Sequence, residues 1–145
     1  MRNGGIVALL LGLGLLAGSA APASAKTSTF VALLNGGQET PPNTSKHFGI
    51  GFFTFDTGSK MLCFAITTEG ITNNQEGAAH IHDKAPGQPG PIIFGLAQGN
   101  PKNGCVGPLN RAQVKDLRKG LLYVNVHTLD FLDGEIRGQI VGTSK

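Results

Sequence analysis

The sequence has no tryptophan, a single tyrosine and only 14% charged residues. So low a charge density excludes disorder driven by self-repulsion. The basic residues are scattered, with no three consecutive Lys or Arg, so the stripe expected of a nucleic-acid surface is missing. No apolar run approaches the roughly 20 residues needed to cross a bilayer. There is no Gly-x-Ser-x-Gly elbow, and Gly36-Gly37-Gln38 lacks the Lys of a phosphate-cradling loop, so neither hydrolase nor nucleotide-binding chemistry finds support. What is present is a chain of 145 residues, short enough for one domain. Its 22 glycines and 8 prolines promise many turns without reaching low-complexity composition, and its 40% hydrophobic share supplies a core.

The first 25 residues stand apart. Arg2, the apolar run from Ile6 to Ala17 and the triplet Ala23-Ser24-Ala25 have the order of a secretory signal peptide, with cleavage expected after Ala25 and residues 26–145 left as a single domain. Ser19 stands where a lipoprotein signal would place its cysteine, so a lipid anchor has no attachment atom there. The expected location is secreted or periplasmic. In an oxidising compartment Cys63 and Cys105 are most simply one disulfide, closing a loop whose chain entropy is worth roughly 4 kcal/mol. The alternative is two buried free thiols acting as small hydrophobes.

From Phe30 onward, short alternating apolar segments are separated by Gly, Pro, Asn and Asp clusters, the pattern of an all-β antiparallel sandwich or barrel. Strands are predicted at Thr29–Leu34, Gly49–Asp56, Met61–Thr68, Ala78–His82, Ile92–Leu96, Leu121–Thr128 and Glu135–Val141. One segment departs from this pattern. Asn110 is a good N-cap with Gln113 three residues on, Leu109 and Val114 form a staple, and Gly120 supplies a stop, which predicts one short surface helix. Residues 35–47 and 83–91 read as Pro- and Gly-stiffened loops. Asn43-Thr44-Ser45 matches a glycosylation sequon, to which little weight attaches.

Strand parity assembles the candidate site. In Ala79-His80-Ile81-His82 both imidazoles share a face. In Leu122 to His127 the aliphatic positions take the core, leaving Tyr123, Asn125 and His127 on the other side. Ile136 and Ile140 likewise leave Glu135, Arg137 and Gln139 facing outward. If the three strands are neighbours, His80, His82, Asn125, His127, Glu135 and Arg137 form one polar cluster. Two readings follow. A mononuclear copper or zinc site would use His80, His82 and His127, with Glu135 or Asp83 as a fourth ligand. The plainer reading is a hydrogen-bonded network in which Arg137 and Glu135 link the histidines across strands. His47 is expected to be a solvated loop side chain, and Tyr123 a packing residue with a wet hydroxyl.

Four blocks carry a resemblance: Phe30 to Pro42 (FVALLNGGQETPP), Ala79 to His82 (AHIH), Tyr123 to Thr128 (YVNVHT) and Gly134 to Ile140 (GEIRGQI). Together they resemble the CHRD domain, named for chordin, over about Phe30 to Val141. The resemblance implies a β-rich extracellular or periplasmic domain with a binding or structural role and no catalytic activity. A protein or a small ligand is the expected partner, not nucleic acid. The fold also resembles the Cu/Zn superoxide dismutase sandwich, whose copper site includes a His-x-His strand similar to His80-Ile81-His82. That enzyme's two-metal site needs more histidines than the four present here, so a complete site of that kind is excluded.

Overall fold

The structure, a computed structural model, describes residues 26–143. The expected leader and its cleavage point after Ala25 lie outside the described residues. The alternating segments form strands β1 (Thr27–Asn35), β2 (Phe48–Asp56), β3 (Leu62–Glu69), β4 (Glu76–Asp83), β5 (Ile92–Leu96), β6 (Lys102–Val106), β7 (Leu122–Thr128), β8 (Ile136–Gln139) and β9 (Val141–Gly142), with one α-helix among the described residues, α1 (Arg111–Arg118), and a 3-10 turn at Gly36–Gln38. The strands join in one antiparallel sheet of order β5-β4-β7-β8-β1-β2-β3-β6, with β9 pairing β1. The sheet curls until β5 approaches β6, so the architecture is a nearly closed β-barrel or sandwich carrying one short helix, as the periodicity predicts.

Period-two alternation builds the interior. Phe30, Ala32 and Leu34 of β1, Phe53 and Phe55 of β2, and Leu62, Phe64 and Ile66 of β3 meet Ala79 and Ile81 of β4 and Leu122, Val124 and Val126 of β7 in one buried cluster. Each fully buried Leu, Ile or Phe contributes roughly 1.5–3 kcal/mol relative to exposure. The helix caps this core with Leu109 and Leu117, which are 1% and 0% exposed. Its ends follow the sequence signals. Asn110 and Gln113 exchange the two bonds of a capping box. At the other end Leu121 N–H donates to Asp116 O and Gly120 N–H to Leu117 O, with Gly120 at a φ of 70° that suits glycine.

The strands differ from the expectation in two places. β6 (Lys-Asn-Gly-Cys-Val) has almost no alternation of its own and is held as a strand by pairing with β3, where Cys63 lies directly opposite Cys105. The two cysteines form a disulfide, which fastens this edge strand covalently to its neighbour. The last predicted strand divides into β8, which pairs with β7 and β1, and β9, which pairs with β1, with Ile140 buried between them. β8 also runs so close to β1 that a Cβ on Gly138 would lie 2.6 Å from the Leu33 carbonyl oxygen, so only glycine fits.

Candidate functional site

Strand register sets the outward side chains of β4, β7 and β8 in rows. His80 stands opposite Asn125, which stands opposite Arg137, while His82 faces Tyr123 and Tyr123 faces Gln139. His127 lies opposite Ala78. On its other flank His80 faces Gly95 of β5, where a Cβ would meet open space. The imidazole therefore borders a gap instead of a side chain.

The ligand atoms of His80, His82 and His127 all lie within 4.8 Å of one another. Hydrogen bonds fix the tautomers of two of these rings. His127 Nδ1 lies 2.8 Å from Leu132 O and His82 Nδ1 lies 2.9 Å from Gly90 O. A carbonyl oxygen only accepts, so each ring carries its proton on Nδ1 and keeps Nε2 as a lone pair. His127 Nε2 accepts from His80 Nδ1 at 3.2 Å. His82 Nε2 lies 3.0 Å from the Asn125 carboxamide oxygen, and a half-turn of that carboxamide places its NH2 on the lone pair and satisfies both groups. Burial lowers the pKa of His80, aided by the charges of His127 and His82. Burial also lowers that of His82, against the opposing pull of its bond to Gly90. Both rings are thus held neutral, the form that ligates metal.

Neither acid considered as a fourth ligand joins them; among the described residues the metal-capable group is the three histidines alone. Asp83 ends β4 opposite Leu122, its carboxyl raised by burial and by the charge of Asp116. Glu135 turns elsewhere. Its Oε1 accepts from Ser45 Oγ and lies against His47 Nδ1, both at 2.6 Å. Burial raises this carboxyl, but the hydrogen bonds of Ser45, Thr128 and His47 together bring it below its ordinary value. The expectation for His47 is corrected accordingly: its ring is the hydrogen-bond partner of a buried glutamate, with its side chain 36% exposed. A lone loop histidine gives no sequence signal of such a partner 88 residues away.

The expected bridging of the histidines by Arg137 and Glu135 is also corrected. Arg137 is 2% exposed. Its Nη1 donates to Thr40 Oγ1 at 3.1 Å and to Gln88 O at 3.0 Å, and its Nη2 to Ala85 O at 3.2 Å. Its guanidinium carbon sits 3.4 Å from the centre of the Tyr123 ring, and that ring stacks on His82 at 4.7 Å. The Tyr123 hydroxyl accepts from Gly90 N–H at 3.1 Å instead of facing water. Gln139 Nε2 donates to Lys84 O. Arg137, Gln139, Tyr123 and His82 thus strap residues 84–91 across the outward face, which explains why a polar face is buried. Gly90 is required at the crossing, since a Cβ there would lie 2.5 Å from Asp83 O.

A second loop docks beside this one. Asn43 Nδ2 donates to Gly134 O and Glu135 O, so the amide of the sequon is already committed. Next to it Glu39, missed by pattern reading because a lone loop acid has no periodicity, is 7% exposed, and its Oε1 has no partner among the described residues. Burial pushes this carboxyl up to about 7, outweighing the lowering by the Arg137 charge and the Thr40 backbone bond. Between its ordinary 4.5 and about 7 the folded protein holds a proton that the unfolded chain has lost, so stability falls as pH rises through that window. Glu39→Gln is expected to gain about 3 kcal/mol relative to the parent between about pH 4 and about pH 8. Urea denaturation of both proteins at the two pH values measures this, and a pH-independent difference would refute it.

Comparison with curated proteins and with solved structures finds no significant match. A family model described as the CHRD domain matches residues 30–140, which takes in both docked loops and every histidine described above. The chain therefore belongs to the CHRD domain family.

Proposed function

We propose that this protein is an exported CHRD binding module whose histidine face holds a single copper or zinc ion. A binding or structural role is what the family supports. CHRD domains are of extracellular or periplasmic type, and the disulfide accords with such a compartment. The signal-peptide reading of residues 1–25 belongs to this proposal.

The observation that carries the metal assignment is the convergence of three imidazoles within 4.8 Å. The Nδ1–H groups of His82 and His127 are anchored on carbonyls, which is the outer arrangement that orients metal-ligating histidines. In the bound state the ion would replace the proton shared by His80 Nδ1 and His127 Nε2 and displace the Asn125 carboxamide from His82 Nε2. With His80, His82 and His127 as its protein ligands, such an ion would have room for one further donor from outside the protein. The chemistry such an ion supplies is binding of an exogenous donor, which suits a binding module.

Metal content after dialysis and calorimetric titration with zinc or copper test the reading. The expected result is one ion per chain, with affinity reduced at least about 100-fold by His80→Ala combined with His82→Ala. His47→Ala, which removes the histidine outside the cluster, is expected to leave metal affinity unchanged. Failure of the parent to retain a stoichiometric ion, or equal losses in both variants, overturns the assignment and leaves the strap network as the role of this face.

A further inference from the structure

A cleft of about 390 Å3 opens between the two docked loops, walled by Pro42 and Pro86 and floored by Arg137, with Glu39, Thr40 and Gln139 also at its surface. Its size is that of a small-molecule site. What distinguishes it is an unbalanced charge. Arg137 is 2% exposed, yet its partners are two carbonyls, a hydroxyl and an aromatic face. Among the described residues the salt bridges are His47 with Glu135 and Lys102 with Glu76, and neither involves Arg137. A buried guanidinium ordinarily has a carboxylate or phosphate partner, because planar bidentate pairing best offsets the loss of water.

We propose that this cleft is a carboxylate-binding subsite, in which the remaining N–H groups of Arg137 receive the carboxylate of a small organic acid or of a peptide end. The proposal involves none of the histidines and stands whether or not they hold a metal. Four observations support it. Three hydrogen bonds and the stacked Tyr123 ring hold the guanidinium in place, so no ordering cost falls on binding. Pro41-Pro42 and Pro86 stiffen both walls. Glu39, buried against the same cleft with an oxygen lacking a partner, is a donor in its protonated form and completes a polar pair with Arg137 across the opening. Finally, Nη1 is filled by Thr40 Oγ1 and Gln88 O and Nη2 gives one bond to Ala85 O, which leaves Nε–H and one Nη2 N–H as the pair a carboxylate would take.

The test is amide-shift mapping by NMR at about pH 6, below the value where Glu39 ionises. The probes are propionate, acetyl-Ala-Ala-Ala with a free C-terminal carboxylate, and the same tripeptide amidated. Saturable shifts confined to residues 37–42, 85–88 and 137–139 are expected with a carboxylate probe and not with the amide. Propionate alone would indicate a small acid as the natural source, and the tripeptide binding more tightly would indicate a chain end. Thr40→Asp sets an internal carboxylate against the guanidinium and neutralises its charge, and is expected to fold normally and to abolish the shifts. Should that variant fail to fold, Arg137→Lys, which keeps the charge and loses the fork, is expected to weaken binding at least about tenfold. No saturable shift with either carboxylate up to about 20 mM, equal shifts with the amidated control, or binding that survives in a folded Thr40→Asp or Arg137→Lys protein would overturn the proposal.

Discussion

Arg137→Ala is expected to lower the unfolding free energy by about 3–5 kcal/mol, a large part of the 5–15 kcal/mol typical of a domain. The loss has two sources. Removing the guanidinium, itself 2% exposed, takes the charged donor from the Thr40 hydroxyl and the Gln88 carbonyl and one of two donors from the Ala85 carbonyl, which keeps the Gln88 N–H, and a hydrogen bond to a charged group is worth roughly 1.5–3 kcal/mol. It also removes the cation stacked on Tyr123 and opens a cavity under both docked loops. Because those loops meet at this side chain, their amide protons at 38–43 and 85–90 should lose exchange protection before the barrel strands do. Urea denaturation with hydrogen exchange measures both effects. A loss below about 1 kcal/mol with uniform protection would show that the loops hold without Arg137.

The same residue shows how far the sequence reaches. Parity correctly places Arg137, Tyr123 and His82 on the side away from Ile136, Val124 and Ile81, because alternation follows from backbone geometry and needs no tertiary information. Parity does not say what lies on that side. Burial runs through both faces of β7, from Leu122 to Val126, since residues 84–91 cover the polar one, and a covering loop leaves no periodic trace in its own sequence. The helix was fully legible for the opposite reason: its capping box and glycine stop are local chemistry, complete within about a dozen residues. β6 was illegible because its strand character is borrowed from β3 through backbone pairing and the cysteine bridge.

The candidate site divides along the same line. Two histidines two residues apart on one strand must share a face, so His80 and His82 could be paired from sequence alone. The approach of His127 depends on β4 and β7 being neighbours, which the structure supplies. Glu135 is the instructive miss. It lies just before β8, with its N–H already bonded to Val126 O, and its carboxylate reaches Ser45 and His47 of the loop before β2. Extending a strand's parity past its first paired residue produced the wrong partner.

The second large effect is expected where β4 and β6 begin. Lys102 Nζ lies 2.5 Å from Glu76 Oε2 with both side chains 1% exposed, and Lys102 also donates to Gly99 O at 2.7 Å. The pair connects β6, the last strand of the sheet order, to β4, the neighbour of the first, near the seam that nearly closes the barrel. Lys102→Met alone leaves a buried carboxylate whose Oε1 already has no partner among the described residues, so it is expected to cost about 3–5 kcal/mol. Adding Glu76→Met removes the orphaned charge and should recover most of that loss, since a buried ion pair and an apolar pair of similar volume are often close in energy. A double-mutant cycle by urea denaturation reads the coupling directly. If the double variant is less stable than the parent by the sum of the two single losses, the two groups act independently and the seam is closed by its backbone alone. If the double variant approaches the parent, the ion pair contributes little net stability, and its effect is to penalise any arrangement of β4 and β6 that separates the two charges.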